Sequence, residues 1–133
     1  MNHLKNKYMF AFLRKVRFNE KDGGFHHYCG YVGVDDKSKY PVSYNERPLE
    51  DQEDYLENHI KVHGGITFAR TFNKNVEIIP LTSIPENWYE HFIYGFDLNH
   101  YDDEITGISK NLEYAKEQTL SLLNQLEHYG ENN

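Results

Sequence analysis

The spacing of apolar residues near the N-terminus predicts two neighbouring β-strands. Tyr8 to Phe18, YMFAFLRKVRF, is rich in aromatic and branched side chains and has no helical periodicity. Asn19 to Gly24, NEKDGG, is dense in turn-forming residues, and Phe25 to Val34, FHHYCGYVGV, is typical of a returning strand. Within that second strand, Gly30 and Gly33 indicate a bulge or the close approach of another part of the chain.

The middle of the chain predicts a long loop followed by short elements. Asp35 to Asp54 is polar and contains Pro41 and Pro48, so we expect a loop there, and long loops are often functional or contain a short helix. The segments that follow predict β-structure broken by two glycines, a short strand, a short helix with proline in its first turn, and a buried strand ending at Asp97. Their bounds are His59 to Arg70, Val76 to Leu81, Pro85 to His91 and Phe92 to Phe96.

The C-terminal part of the chain has the periodicity of an amphipathic helix from about Ser109 to His128. Apolar or small residues recur there at intervals of three and four, and Gly130 is placed to end the helix. The recurring residues are Leu112, Ala115, Thr119, Leu122 and Leu126. Strands followed by one long helix predict an α+β fold, an antiparallel sheet with the helix packed on one face. We expect a single domain over residues 1–133.

Charge narrows the classes of partner. The formal net charge of the 133-residue chain is −7 with histidine neutral, and such a protein repels phosphate backbones. Arg14, Lys15 and Arg17 form a weak basic cluster, for which a solvated strand face is the favoured explanation. We therefore expect no direct nucleic-acid binding, and a protein partner with a basic surface instead.

Two further features of the sequence bear on location and covalent structure. The single cysteine, Cys29, excludes an intramolecular disulfide. No run approaches the roughly 18 apolar residues of a membrane helix, and lysines and arginines interrupt the apolar N-terminal residues that a signal peptide would need. We expect a cytoplasmic protein without membrane contact.

Three chemically active residues follow the last predicted strand in the stretch YGFDLNHYDD. Asp97, His100 and Asp103 are spaced by three residues, so a helical turn would bring them to one side, whereas an extended chain would separate them. Imidazole with carboxylate suits zinc, and two or more carboxylates with one histidine suit manganese or iron as well. A capped polar turn without any metal explains the same spacing.

Two other residues are candidate metal ligands. His63 precedes Gly64 and Gly65, and a bulge at these glycines would re-aim the imidazole, although an ordinary bulge with an exposed histidine is the alternative. Cys29 is either a small buried apolar residue or a thiolate ligand for zinc. No nucleophile elbow or phosphate-binding loop is present.

Three of these segments together resemble a group of small proteins from bacteriophages and prophages of low-GC Gram-positive bacteria. The motifs that carry the resemblance are Cys29-Gly-Tyr-Val-Gly-Val34, Val62-His-Gly-Gly-Ile-Thr-Phe68, and Gly95-Phe-Asp97 with His100 and Asp103. A helix containing Tyr114, Glu117 and Leu126 follows in the expected place. This sequence departs from the group where Leu98 replaces a usual cysteine and Asp102 a usual glycine.

The resemblance implies a phage origin and a site shared with the group. It favours a divalent metal, zinc first, held by His63, Asp97 and His100 with Asp103 or Cys29 as the fourth ligand; Asp97 would alternatively orient a ligating histidine. It implies a counter-defence protein in the host cytoplasm, similar to anti-CRISPR inhibitors, that binds a host nuclease complex while the metal supports the fold. The alternatives are a metal-dependent hydrolase acting on a phosphoester or nucleotide, and a metal-free nucleotide-binding or structural module.

Overall fold

Five antiparallel strands form the framework of the protein in the computed structural model, which describes residues 9–17, 26–46 and 53–132. Numbered along the chain, the strands are β1 Phe10–Arg17, β2 His26–Gly33, β3 Phe68–Arg70, β4 Ile79–Pro80 and β5 Ile93–Asp97. Their order across the sheet is β3-β5-β2-β1-β4. A short helix, α1 Tyr101–Thr106, and a long helix, α2 Leu112–Asn132, complete the fold, which confirms the predicted α+β class with a long C-terminal helix.

The first two strands pair as the hydrophobic pattern predicts. Their antiparallel register runs without interruption from Phe10 opposite Gly33 to Arg17 opposite His26. The expected turn over Asn19 to Gly24 lies outside the described residues, as do Tyr8, Phe18 and Phe25. Gly30 marks a close approach, because a Cβ at that position would overlap Thr119 of α2 and the Phe96 ring. The missing side chain therefore lets α2 pack directly on the middle of the sheet.

The long helix buries the face that its periodicity predicts. Ala115, Thr119, Leu122 and Leu126 are fully buried, and the Thr119 hydroxyl donates to the Ala115 carbonyl at 2.6 Å. The helix extends further than expected at its C-terminal end. Gly130 lies inside its last turns, so the prediction that this glycine ends the helix is wrong. Within the described ranges, no helix is long and apolar enough to cross a bilayer.

Both faces of the sheet are covered, but by different kinds of structure. On one face, α2 packs against side chains such as Leu13, Val32 and Tyr94. On the other face, Phe10, Phe12, Cys29, Tyr31 and Ile93 form a second cluster. The segment between β3 and β5 covers that second cluster with the side chains of Phe72, Ile78, Ile84 and Trp88. The sheet is thus sandwiched between a helix and an aromatic loop layer.

Several of the short predicted elements are smaller than expected. Of the predicted β-region His59 to Arg70, only Phe68–Arg70 is a strand, because the two glycines form a turn in front of it. Val76 to Leu81 contributes the two-residue β4, and Pro85 to His91 contains one 3₁₀ turn at Trp88–Glu90. The predicted loop Asp35 to Asp54 contains 3₁₀ turns at Lys37–Lys39 and Tyr44–Glu46, and residues 47–52 lie outside the described part.

The packing of α2 on the sheet generates a stability prediction. We expect Leu122→Ala to lower the free energy of unfolding by about 2–5 kcal/mol, because a fully buried leucine leaves a cavity when truncated. Leu120→Ala on the same helix is the matched control, since that side chain is 39% exposed and its loss should cost under about 1 kcal/mol. Chemical denaturation measures both, and equal losses for the two variants would contradict this packing.

Candidate metal centre

Three potential metal ligands converge where β5 passes into α1. His63 comes from the turn before β3, His100 immediately precedes α1, and Asp103 lies in the first turn of α1. One ligand atom from each of the three residues lies within 4.8 Å of the others, so the group could hold a metal ion. We call these residues the His63–His100–Asp103 cluster. The turn of the chain after Asp97 that the spacing suggested is what brings the cluster together.

Asp103 is the centre of the cluster. Its carboxylate accepts hydrogen bonds from His63 Nε2 at 2.7 Å on Oδ1, and from His100 Nδ1 and the His100 backbone N–H, each at 3.0 Å, on Oδ2. The residue is only 4% exposed. Burial by itself disfavours the ionised carboxyl, but the hydrogen bonds from His100 and His63 outweigh it and keep the pKa of Asp103 below its ordinary value. The carboxylate is therefore charged at neutral pH.

Helix α2 fixes the orientation of His63. The Tyr114 hydroxyl lies 2.8 Å from His63 Nδ1, and the Gln118 side-chain oxygen accepts the His63 backbone N–H at 2.9 Å. Because Asp103 is ionised, we assign the ring proton of neutral His63 to Nε2, so that Nδ1 accepts from Tyr114. Neither Gln118 nor a role for Tyr114 at the site was predicted from the sequence. Their only signal is an i, i+4 polar pair beside the buried Ala115 and Thr119.

The two glycines after His63 have separate roles. Both adopt the left-handed backbone region, with φ of +70° at Gly64 and +82° at Gly65, and the Gly65 N–H closes the turn on the Val62 carbonyl. A Cβ at Gly64 would overlap the His100 ring, whereas one at Gly65 would have no atom within 4 Å. Gly64 therefore lets the turn lie against His100. The expected bulge inside a strand is replaced by this turn before β3.

Asp97 lies beside the cluster without joining it. Its Oδ1 accepts the Asn99 backbone N–H at 3.0 Å, and its Oδ2 accepts the Thr67 hydroxyl at 3.1 Å. His100 Nδ1 is 3.7 Å from Asp97 Oδ1, further than from Asp103. Asp97 therefore ends its strand as expected and stands next to one histidine, but it is not among the three residues whose ligand atoms converge.

The remaining candidate, Cys29, lies elsewhere in the fold. It is opposite Asp97 in the β2–β5 register, and its side chain belongs to the aromatic cluster on the sheet face away from α2. Burial raises the pKa of the Cys29 thiol to about 11. Among the described residues, the group that could hold a metal does not include this thiol. Its surroundings are those of a small buried apolar residue.

The donor set of the cluster fits a divalent transition metal. Two imidazole nitrogens and a carboxylate oxygen are ligands that zinc accepts at about 2.0–2.2 Å, so neighbouring donors around a tetrahedral ion lie roughly 3.3 Å apart. The observed nitrogen–oxygen distances of 2.7 and 3.0 Å are only slightly shorter. A metal would replace the two ring protons directed at Asp103. His63 and Asp103 already have outer partners of the kind that support metal ligands.

Comparisons of the chain with protein-family models, with curated proteins and with solved structures find no match. The resemblance to phage proteins, which rests on the sequence motifs, therefore stays a prediction. What the structure adds to those motifs is the convergence of His63, His100 and Asp103 with the support of α2.

The hydrogen bonds to Asp103 generate a pH prediction for chelator-treated protein. Asp103→Asn should lower the free energy of unfolding by about 1.5–3 kcal/mol at neutral pH, because hydrogen bonds to a charged group are lost. The folded pKa lies below the unfolded value of 3.8, so the unfolded chain takes up this proton first and the stabilisation disappears as pH falls through the folded pKa. Urea denaturation from neutral pH down to about pH 3 should show the difference between the two proteins shrinking. A difference independent of pH would contradict this assignment.

Proposed function

We propose that the chain is a phage counter-defence protein of the anti-CRISPR type, in which a bound zinc ion supports the fold and an acidic surface binds a host nuclease complex. The observation that carries the metal part of this proposal is the His63–His100–Asp103 cluster. The partner part is supported by the net charge of −7, by the exposed carboxylates described below and by the sequence motifs shared with phage proteins.

A structural role for the metal follows from the segments that it would join. His63 lies in an irregular segment that forms no strand between the 3₁₀ turn Leu56–Asn58 and β3. His100 and Asp103 belong to the start of α1, which is only six residues long. A short helix and an irregular turn have little stability of their own. An ion bound by all three side chains would connect the two segments beside α2, which already holds His63 through Tyr114 and Gln118.

The acidic surface near the cluster suits a basic protein partner. Asp102 and Glu104 on α1 are exposed, and Ile105 beside them is 69% exposed. Glu113 and Glu117 are exposed on the first turns of α2. An apolar side chain surrounded by carboxylates offers both an anchor and charge complementarity to a surface that normally binds nucleic acid. This surface is the one we assign to partner binding.

A metal-dependent hydrolase is the second candidate. The observation that favours it is the exposure of His100, whose side chain is 39% accessible, together with the convergence of three protein ligands among the residues that the structure describes. Catalytic zinc sites have three protein ligands and an open position, and the ion lowers the pKa of a bound water to about 7. Turnover of an activated phosphodiester by zinc- or manganese-loaded protein, lost in His100→Ala, would favour this candidate over the inhibitor.

The metal site is tested by elemental analysis of protein purified without a histidine tag. We expect about one zinc per chain, and removal by chelator should lower the melting temperature by roughly 10 °C, which corresponds to about 2.7 kcal/mol for free metal at 100 times Kd. His63→Ala and His100→Ala should abolish the stoichiometric metal. His59→Ala is the control, because that exposed histidine pairs with Asp54 outside the cluster. Wild-type protein that neither contains nor binds a divalent metal would overturn the site.

The paired glycines provide a sharper control for the same assay. Gly64→Ala and Gly65→Ala both impose a left-handed backbone on alanine, at about 1–2 kcal/mol each. Only the Gly64 variant also displaces the His100 ring. We expect zinc affinity to fall at least about ten-fold in Gly64→Ala and to change much less in Gly65→Ala. Equal metal affinity in the two variants would mean that His100 is not a ligand.

The partner is tested by plasmid interference in a Gram-positive host with an active RNA-guided nuclease. Expression of the protein should restore plasmid uptake, and the double charge reversal Asp102→Lys with Glu104→Lys should remove that protection. Glu77→Lys with Glu86→Lys is the matched control, because both residues are exposed on the loop segment covering the other sheet face. Each double variant changes the net charge by the same amount, from −7 to −3, since each reversal adds two charges. Equal loss in both variants would indicate a general charge effect and contradict the assigned surface.

A further inference from the structure

A second candidate site lies on the sheet face away from α2. A half-open cleft of about 510 Å³ is formed there by side chains from β1, β2, β3 and the loop after β3. This volume is within the range of small-molecule sites in proteins. The residues used in the argument are Arg14, Tyr31, Phe68, Arg70 and Phe72. None of them belongs to the His63–His100–Asp103 cluster, so the inference is independent of the metal.

Strand register explains why these side chains meet. Phe68 and Arg70 are two residues apart on the edge strand β3 and therefore point to the same face. Phe68 is opposite Gly95, which is opposite Tyr31, so the two aromatic residues lie in one row across the sheet. A Cβ at Gly95 would overlap the Tyr31 ring. The glycine therefore leaves room for Tyr31 to lie across the floor of the cleft.

The aromatic part of the cleft is a corner of three rings. Tyr31 meets Phe68 and Phe72 edge-on, with ring centroids 5.4 and 4.8 Å apart, and the two phenylalanines are 5.0 Å apart. Phe68 and Phe72 are only partly buried, so part of their surface faces the cleft. Partly exposed aromatic rings of this kind stack with planar aromatic ligands, including nucleobases.

The charged part of the cleft is cationic. Arg14 lines the cleft beside Tyr31, and the Arg70 guanidinium lies over the Phe68 ring at 4.6 Å. The described side chains that line the cleft include no carboxylate, and neither arginine forms an ion pair with the described carboxylates. Asp97 is two strands away from Arg14 in the register and accepts hydrogen bonds from Thr67 and Asn99. Within the part of the chain that the structure describes, the two arginines are therefore not neutralised by a carboxylate in the cleft, although the net charge of the protein is −7.

We propose that this cleft binds a free nucleoside phosphate, with the base against Phe68, Phe72 and Tyr31 and the phosphate held by Arg14 and Arg70. Guanidinium groups bind phosphate through paired N–H donors, and aromatic faces bind the base without requiring its identity. A free nucleotide fits better than a nucleic-acid strand, because an extended phosphate backbone meets the repulsion of the whole acidic protein. A single phosphate group interacts mainly with charges inside a Debye length of about 8 Å.

The test is calorimetric titration of the full chain with AMP, ATP, adenosine, inorganic phosphate, pyrophosphate and a ten-nucleotide single strand at physiological salt. We expect saturable binding of AMP or ATP. Binding should be at least about ten-fold weaker for adenosine, which lacks the phosphate that contacts the arginines, and for phosphate and pyrophosphate, which lack the base that contacts the aromatic rings. The oligonucleotide should bind more weakly than the mononucleotides.

Variants locate the site. Arg70→Gln and Arg14→Gln should each weaken nucleotide binding at least about ten-fold, since each removes a charged hydrogen-bond donor. Lys15→Gln is the matched control, because it removes the same charge from β1 on the opposite face and should change the affinity less than about two-fold. Arg70 is exposed, so its variant should melt as wild type does.

Three outcomes would overturn the proposal: no saturation of wild type by either nucleotide, unchanged affinity in both arginine variants, or inorganic phosphate or pyrophosphate binding as tightly as ATP. Tighter binding of the oligonucleotide than of AMP would mean that the ligand of the cleft is a single-stranded nucleic acid and not a free nucleotide. None of these outcomes bears on the metal content of the protein, so failure here is distinguishable from failure of the metal site.

Discussion

The burial of the Asp103 carboxylate is the constraint on which the site depends. Burying a charged group that is only 4% exposed costs free energy unless hydrogen bonds or opposite charges compensate it. Removing such partners leaves the charge buried and unpaired. His63 and His100 supply the compensation from two segments, and α2 then holds His63 in place through Tyr114 and Gln118. The geometry of the cluster is therefore a consequence of satisfying one buried charge, and the same arrangement provides the donor set of a metal.

That constraint is met at the end of β5, where the chain leaves the sheet for α1. Successive residues of β5 point to opposite faces, so Phe96 packs toward α2 while Asp97 points to the face of the aromatic cluster. Asp97 forms hydrogen bonds with Thr67 and Asn99, which fixes the chain as it leaves the strand for α1. The chain can then return His100 toward the turn at Gly64, where only a glycine leaves space for the imidazole. The alternation of side chains along β5, the hydrogen bonds of Asp97 at the end of that strand and the glycine at position 64 together position the cluster.

The sequence predicted those parts of the fold that rest on local periodicity. The β1–β2 pair and the buried face of α2 have strong patterns, and both are present, although Leu112 at the start of the helix is only partly buried. The prediction that Gly130 ends the helix is wrong because a glycine does so only where the backbone becomes left-handed, and here α2 continues past it. His59 to Arg70 was read as β-structure because its apolar residues alternate. The turn at the two positive-φ glycines and the hydrogen bond from the His63 backbone N–H to Gln118 of α2 outweigh that pattern. The sequence shows the glycines, but it does not show the contact with α2.

The candidate site also has some residues that local sequence patterns predict and others that they do not. His63, His100 and Asp103 were identifiable from local patterns, namely a histidine before a glycine pair and an imidazole and carboxylates at three-residue spacing after a strand. Tyr114 and Gln118 are ordinary residues of an amphipathic helix, and no local pattern marks them. Cys29 was a candidate only because its sulfur can bind zinc. Its position in the fold depends on which face of β2 each residue occupies. Alternation along β2 places Cys29 with Tyr31 and away from α2. That assignment needs the packing of α2 as well as the strand pattern.

Net charge and local charge act at different ranges in this molecule, and the difference allows two kinds of ligand. The charge of −7 governs the approach of large partners, for which it favours basic proteins and opposes nucleic-acid strands. Arg14 and Arg70 lie beside aromatic rings on the face that α2 does not cover, where none of the described lining residues is a carboxylate. At separations shorter than a Debye length, the nearest charges dominate over the total. An acidic protein can therefore offer a cationic cleft to a small anion while its carboxylate-rich helices face a basic partner.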